Sequence, residues 1–359
     1  MPLIQYACLP TARMEMFYSA MRYPDLAVLD FSMNGHALYN YGSLPWLSEQ
    51  VVSRQSYSTH MTELDIALGD TGRLRRAAEE LREKGFRQAF PERYIDVGIA
   101  EQNCVGVAAG LALAGNIPVI MGMLPFLSMR SCEQVRTAVC YQNLPVRIIG
   151  TGGGLTSGGG STHNAMEDIA IVKSMVNMTV LSICDPNMIR DILHLSMEYP
   201  GPMYIRLAQG KKDRQLYEPG TIPFSIGGSV TARDGKDFTI IAHGEMVGEA
   251  LDAAEELAKD GIDVRVIDMY TIKPFDEAAV RKAVEETDNL VVWEDHLMSG
   301  GLASSLSDFF IDNEIRPKTF KRFGIPQVYA GFGSGEELRK KYGYHMDDVI
   351  AYIRATAKK

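Results

Sequence analysis

The chain has 359 residues, which is enough for two domains that each bury a full core. Apolar residues make up 46% and charged residues 23%, the balance of an ordinary soluble globular protein. The net charge of −9 argues against nucleic acid as a partner, because phosphate binding favours a basic face.

The cysteines and the N-terminus bear on the compartment. The five cysteines lack the CxxC or Cys/His spacing of a metal site, so we expect free thiols in a reducing environment. The opening MPLIQYACLPTARMEMF lacks a basic segment followed by a long apolar run, so no signal peptide is expected. No stretch approaches the length of a membrane span. Together these features predict a cytoplasmic protein with no membrane partner.

The chain begins with a predicted helix at 12–23 and a predicted strand at 25–31, DLAVLDF. Residues 41–90 follow before the next strand, and they include a strongly charged amphipathic helix at 72–88. The sequence does not decide whether this inserted segment is a lid over a site or a contact for a partner.

The rest of the chain is organised around residues 94–115, YIDVGIAEQNCVGVAAGLALAG. They predict a short buried strand, a turn through Glu101, and a helix so rich in glycine and alanine that we expect it to be buried on most faces. A second buried strand, IPVIMG, completes a strand–helix–strand unit with a right-handed crossover. Glu101 therefore falls at the carboxyl end of a strand, where doubly wound folds bind ligands. On position alone, the more ordinary interpretation is a helix-start residue favoured by the helix dipole.

A glycine-rich loop at 152–160 precedes His163. Such a loop can approach a ligand closely, and it lacks the GK[ST] ending of a phosphate-binding loop, which excludes nucleoside triphosphate binding. We expect the next helix to begin at Ser161, Thr162 or Asn164. His163 would then lie at the helix entry, where backbone donors point at anions.

Strands and helices alternate through the remainder of the chain, which predicts an α/β fold with two doubly wound, three-layer domains. The first domain spans 1–209 and closes with GPMYIRLAQG as an edge strand. A polar, proline-bearing linker covers 210–224, and the second domain covers 225–359. The further elements are predicted strands at 146–151, 178–185, 238–244, 264–270 and 289–296, and helices at 131–141, 187–199, 249–261, 275–288 and 300–312, with two more helices at the C-terminus.

The segments VGIAEQN, PFLSMR and STHNAMEDIA resemble the pyrimidine-binding domain of the transketolase family, and DMYTIKPFD with EDHLMSGGLASSL resembles its C-terminal domain. The resemblance runs from about residue 12 to the end. It implies that Glu101 hydrogen-bonds the aminopyrimidine ring of thiamine diphosphate and promotes the tautomer that generates the nucleophilic ylid. It also implies that Phe126 packs on that ring, that Arg130 reaches cofactor or substrate, that His163 faces the substrate, and that Arg206 binds a substrate phosphate. Glu101 and His163 are the predicted catalytic residues.

The family's diphosphate-binding domain, with its GDG motif and a later asparagine, has no counterpart here. The resemblance therefore implies a separate N-terminal subunit that holds the diphosphate and its Mg²⁺. Obligate assembly follows, and we expect an α2β2 heterotetramer.

The implied activity is the transfer of a two-carbon ketol or acyl unit through a thiamine-bound carbanion. One alternative is a 2-oxo acid decarboxylating subunit, similar to deoxyxylulose phosphate synthase or to the beta chain of 2-oxo acid dehydrogenases. Another is a non-catalytic assembly partner, although a buried Glu101 without a role would be a pure cost. Gly152 and the run at 158–160 replace polar groups that contact sugar hydroxyls in the family, so we expect a donor other than an ordinary sugar phosphate.

Overall fold

The computed structural model describes residues 26–30, 93–155, 160–207, 215–218 and 220–358. The predicted helix at 12–23, the inserted segment 41–90, and parts of the glycine loop (156–159) and linker (208–214 and 219) lie outside the described residues.

The elements follow the predicted alternation of strands and helices. The strands are β1 (Leu26–Asp30), β2 (Tyr94–Asp96), β3 (Ile117–Met123), β4 (Arg147–Thr151), β5 (Thr179–Ile183), β6 (Met203–Leu207), β7 (Val230–Arg233), β8 (Phe238–Ala242), β9 (Val264–Asp268), β10 (Thr271–Lys273), β11 (Asn289–Leu297) and β12 (Thr319–Ile325). The helices are α1 (Glu101–Leu113), α2 (Asp168–Lys173), α3 (Pro186–Glu198), α4 (Met246–Ala258), α5 (Glu277–Thr287), α6 (Leu302–Asp312), α7 (Gly335–Tyr342) and α8 (Met346–Ala357).

The first sheet has the strand order β10-β5-β6-β4-β3-β1-β2. All its pairs are parallel except β10 with β5. Strands β4, β5 and β6 are buried along their whole length, as expected for apolar strands covered on both faces. Two predictions for this sheet were wrong. Strand β6 is central rather than at the edge, and β2, predicted to be buried, is a half-buried edge strand with Asp96 exposed.

The edge beyond β5 is closed by a strand from the second half of the chain. Strand β10 runs antiparallel to β5, with Thr271 opposite Leu181 and Lys273 opposite Val180. The strand is only three residues long, and the apolar pattern of the sequence did not predict it. One sheet thus contains residues from both predicted domains, and the domain boundaries stay a prediction.

The second sheet has the order β12-β11-β8-β9-β7, parallel except for β7 against β9. Its central strands and its helices α4, α5 and α6 lie where the sequence predicted them, and the α/β class is confirmed. Trp293 is fully buried in β11, and its indole nitrogen donates to the carbonyl of Tyr344 at 2.9 Å. The second sheet is thereby joined to the C-terminal helices.

The hydrophobic core is continuous between the two halves of the chain. One buried cluster joins Ile183 and Met188 to Ala242 and Trp293, and another joins Ile169 to Leu302 and Leu306. Apolar burial is the main stabilising contribution in such a core, so the halves stabilise one another. Within the described part of the chain, no helix has the length and apolar character needed to cross a membrane.

Helix α1 differs from the prediction that it is buried on most faces. Its inner face is buried at positions such as Val105 and Ala108, but Gly106 and Gly110 are exposed, and a β-carbon on either would meet nothing within 4 Å. Two apolar residues, Ile99 and Leu113, flank this outer face and are 63% and 65% exposed. Among the residues that the structure describes, nothing covers this face of small residues.

Candidate functional site

The site begins with Glu101, the first residue of α1, which follows the carboxyl end of β2. Glu101 is only 2% exposed. The first N–H groups of a helix have no partners within the helix, and the helix dipole favours negative charge there. The local structure therefore stabilises a carboxylate at this position, but its burial still requires a specific partner.

That partner comes from a π-helical turn after β3, Phe126–Arg130. The amide of Ser131 donates to the carbonyl of Phe126 at 3.3 Å, five residues back, and this wide turn brings Phe126 and Arg130 to the same side. The helix predicted at 131–141 is instead a short α-helical turn followed by a second π-helical turn, Val135–Cys140. Such π-helical turns occur frequently at functional sites.

Arg130 lies between the acid and the aromatic ring. Its Nη1 donates to both carboxylate oxygens of Glu101, at 2.9 and 2.8 Å. Its Cζ lies 4.3 Å from the ring centroid of Phe126, a cation–π contact. The Arg130 side chain is 47% exposed, whereas Glu101 is buried. The space between Glu101 and the Phe126 ring, which the guanidinium occupies, is termed the slot.

His163 extends the same cluster through a contact with Phe126. The two rings meet edge to face, with centroids 5.3 Å apart and an interplanar angle of 82°. The His163 Nδ1 lies 2.9 Å from the hydroxyl of Thr162. The structure therefore brings four of the predicted site residues together in one cluster of successive contacts: Glu101, Arg130, Phe126 and His163.

The predicted helix start near His163 was wrong. Residues Ser161–His163 form a 3-10 turn, and Asn164 is extended, with φ −87° and ψ 121°. The chain is held extended because Ala165 pairs with Gly153 in an isolated bridge. Helix α2 starts only at Asp168, so the expected helix entry does not lie at His163.

Arg206, the fifth predicted residue, has internal contacts. It is 5% exposed in β6, and its Nε donates to Asp168 Oδ2 at 3.0 Å. Its Nη2 donates to the backbone carbonyl of Asp295 at 2.9 Å. The Tyr204 hydroxyl donates to the same oxygen of Asp168, at 3.0 Å. Burial opposes the charged guanidinium, but Asp168 and Asp295 outweigh it and raise the pKa of Arg206. Its predicted role in phosphate binding stays a prediction.

Asp295 links the two halves of the chain and was missed from the sequence. Its Oδ2 accepts from the amide of Leu155 at 3.1 Å, and its Oδ1 accepts from the Tyr344 hydroxyl at 2.8 Å. The neighbouring His296 is fully buried, and its Nε2 accepts from the amide of Ala170 at 3.3 Å. The available signal was an acidic residue at the end of a buried strand. Its partners Leu155 and Tyr344 are too distant in sequence to be inferred from that signal.

The slot fits a flat, nitrogen-bearing ring. A planar guanidinium already lies against the face of Phe126 and donates to the carboxylate of Glu101. These are the two contacts that the resemblance implies for the aminopyrimidine ring of thiamine diphosphate. The described residues offer no comparable site for a metal ion. Among the described residues, no group of three or more His, Cys, Asp or Glu side chains is arranged to hold a metal ion.

Two family matches cover most of the chain. Residues 61–213 match the transketolase pyrimidine binding domain, and residues 227–349 match the transketolase C-terminal domain. The chain is 37% identical over 268 residues to the 6-deoxy-6-sulfo-D-fructose transketolase subunit SqwH of Clostridium sp. (strain MSTE9), with 74% of this chain and 82% of that protein covered. It is 35% identical over 275 residues to an apulose-4-phosphate transketolase subunit of Phocaeicola vulgatus, with 76% and 87% covered.

A solved structure described as a split gene transketolase, inactive beta4 tetramer, superposes with a TM-score of 0.76 at 28% identity, covering 98% of each chain. The transketolase of Campylobacter jejuni shares the fold, with a TM-score of 0.66 at 16% identity, and this chain spans 45% of it.

The chain therefore belongs to the transketolase family, which is a family of transferases. Within that family it corresponds to the C-terminal subunit of a split enzyme, composed of the pyrimidine-binding and C-terminal domains. The resemblance predicted from the sequence is confirmed.

Proposed function

We propose that the chain is the pyrimidine-binding subunit of a two-chain, thiamine diphosphate-dependent transferase that moves a two-carbon ketol or acyl unit. The observation that carries the proposal is the buried carboxylate of Glu101 at the inner end of a slot lined by Phe126. A buried acid beside an aromatic face suits a heterocycle that must be held flat and exchange a proton.

Each residue of the cluster has a distinct role in this proposal. Glu101 shares a proton with a ring nitrogen, and its burial strengthens that hydrogen bond. Phe126 fixes the plane of the ring, and His163, edge to face with Phe126, presents its imidazole to the substrate. The bound thiamine diphosphate supplies the nucleophilic carbon that accepts the two-carbon unit.

The rest of the cofactor site comes from a partner chain in this proposal. A diphosphate needs Mg²⁺ and oxygen ligands, and the described residues offer no such group. The exposed face of α1, with Gly106 and Gly110, starts at Glu101 and offers the partner a close-packing surface next to the slot. The two relatives named as subunits, and the tetramer described as inactive, support an obligate heteromeric assembly, which we propose to be α2β2.

The cellular location expected from the sequence is the cytoplasm. The free thiols of Cys132 and Cys140 suit its reducing environment.

The donor is proposed to differ from the common sugar phosphates. Gly152 replaces a polar group that contacts sugar hydroxyls in the family, and a site without such partners cannot strongly favour a hydroxylated substrate. An unusual sugar derivative or a less hydroxylated 2-oxo acid fits best. The names of the two subunit relatives, one a sulfo-fructose transketolase and the other an apulose-4-phosphate transketolase, support this class. The test is a donor panel scored by kcat/KM, and a clear preference for xylulose 5-phosphate or fructose 6-phosphate would contradict it.

The decisive experiment is reconstitution. The chain is mixed with a polypeptide that carries the GDG…Asn diphosphate motif, thiamine diphosphate and Mg²⁺, and two-carbon transfer to an aldose is measured. Activity is expected in the mixture and in neither chain alone. A mixture that assembles and binds cofactor but transfers nothing would contradict the proposal.

A second candidate is decarboxylating transfer from a 2-oxo acid. The chain is 32% identical over 274 residues to the 1-deoxy-D-xylulose-5-phosphate synthase of Desulforudis audaxviator, although it spans only 43% of that protein. Release of CO₂ from pyruvate by the reconstituted complex would support this alternative, and its absence would leave ketol transfer.

A further inference from the structure

We propose that Arg130 is a built-in substitute for the cofactor's aminopyrimidine ring. In the unloaded subunit its guanidinium occupies the place between Glu101 and Phe126, and cofactor loading requires it to leave. This inference rests on the proposed function, because it concerns how the same slot is filled.

The geometry places Arg130 at both contacts that the ring would need. Its Nη1 is 2.8 and 2.9 Å from the two carboxylate oxygens of Glu101, and its Cζ is 4.3 Å from the Phe126 centroid. A guanidinium is planar and carries N–H donors. It therefore matches the shape of an aminopyrimidine, and it matches the ring's N–H donor when the ring nitrogen holds the proton that it shares with Glu101. The two groups cannot occupy this volume together.

Two features of the contact between Arg130 and Glu101 favour its release. Both hydrogen bonds come from one nitrogen, whereas the strongest arginine–carboxylate pairs use two nitrogens in a fork. The side chain is also 47% exposed, in contrast to 6% for Arg206, which is locked in the interior. Arg130 therefore has open solvent into which it can rotate without disturbing the core.

The contact with Arg130 also lowers the energetic cost of burying the charge of Glu101. Glu101 is buried within the chain itself, and a buried carboxylate without a counterion is costly. Arg130 compensates that charge in the empty subunit. When the ring takes over the contact at Glu101, the guanidinium becomes free. The stability of the empty site is thus gained at the expense of cofactor affinity.

The first test measures affinity in the assembled complex with Mg²⁺, by calorimetric titration with thiamine diphosphate. Arg130→Met keeps the length of the side chain and removes its charge. Because the variant has no charge-assisted hydrogen bond to break, we expect its Kd to fall by about tenfold or more. Arg136→Met, an exposed arginine on the neighbouring π-helical turn, is the matched control and should leave the Kd unchanged. An unchanged or higher Kd for Arg130→Met overturns the proposal.

The second test needs no variant. Crystal structures of the wild-type complex without and with thiamine diphosphate should show the Arg130 guanidinium on Glu101 in the first and away from it in the second. Cofactor bound with Arg130 still on Glu101 overturns the inference alone. A wild-type complex that binds no thiamine diphosphate overturns the proposed function, and this inference with it.

Discussion

Gly153 lies against the guanidinium of Arg206 so closely that a β-carbon on the glycine would be 2.1 Å from Nε. The next residue, Gly154, has a φ of +70°, and a β-carbon there would be 2.1 Å from Asp295 Oδ2. This glycine backbone covers the buried ion pair of Arg206 with Asp168. Packing therefore requires glycine at positions 153 and 154. The sequence alone had indicated only that this loop can approach a ligand.

Gly153→Ala should destabilise the isolated chain, because the guanidinium must shift away from Asp168. Overpacking of this kind typically lowers the free energy of unfolding by about 1–3 kcal/mol. Denaturant unfolding measures the change. Gly106→Ala is the control: that glycine is helical and open to solvent, so alanine should be neutral or slightly stabilising. Equal stability of the two variants would contradict the packing argument.

Glu101→Ala should reduce turnover of the reconstituted complex by roughly two to four orders of magnitude, the usual range for acid–base assistance. Subunit assembly, checked by light scattering, should survive. Glu133→Ala, an exposed carboxylate after the first π-helical turn, is the control and should retain full activity. Turnover of Glu101→Ala within a few-fold of wild type would contradict the acid–base role of Glu101.

The isolated chain should show no measurable binding of thiamine diphosphate by calorimetry, since the described residues hold no metal-binding group for the diphosphate. Addition of the partner subunit with Mg²⁺ should restore binding. Micromolar binding by this chain alone would reveal a diphosphate site within it.

Gly110→Leu should block assembly while leaving the isolated chain folded. The new side chain projects from the open face of α1, where a β-carbon meets no described residue within 4 Å. We therefore expect it to hinder the partner subunit and not the fold. Analytical ultracentrifugation of the mixed subunits measures assembly. Ala278→Leu, a small-to-large change on the exposed face of α5, is the control. A normal complex with Gly110→Leu would place the interface elsewhere.

Asp268→Asn should change how stability depends on pH. Burial raises the pKa of the Asp268 carboxyl to about 7, although hydrogen bonds from Cys184 and Tyr217 oppose the rise. The folded chain therefore holds a proton that the unfolded chain releases near pH 4, so this group stabilises the fold in acid and the contribution is lost as pH rises from about 4 to about 7.

Relative to wild type, Asp268→Asn should gain stability between pH 5 and pH 8, by up to a few kcal/mol. Thermal unfolding at the two pH values measures this difference. The exposed Asp312→Asn is the control and should follow the wild type at both. A wild-type-like pH dependence for Asp268→Asn would contradict the argument.

Local features of the fold were predictable from the sequence. Apolar runs gave the strands, and the Asp185-Pro186 pair gave the start of α3, where the Asp185 side chain accepts from the amide of Asn187. The family motifs predicted that Glu101 and Phe126 belong to one site, and in the structure both contact Arg130. These signals are short-range, and a sequence displays them directly.

The errors concern pairing between distant segments. The central position of β6 and the antiparallel β10 depend on which strand lies beside which, and an apolar run does not encode that choice. The contact of Arg130 with Glu101 joins residues 29 apart, through a π-helical turn that sequence periodicity does not reveal. The open face of α1 was misjudged for another reason: glycine and alanine predict close packing but not whether the neighbour belongs to the same chain.

Strand β10 restricts where this polypeptide can be cut. A fragment that ended in the linker, produced without the second half, would lack the strand that pairs with the outer edge of β5. Its sheet would then expose a row of unpaired backbone donors and acceptors at that edge. Such a fragment would tend to recruit strands from other molecules. Exchange of one half for that of another protein would therefore require the new half to supply a strand that pairs with β5 as β10 does.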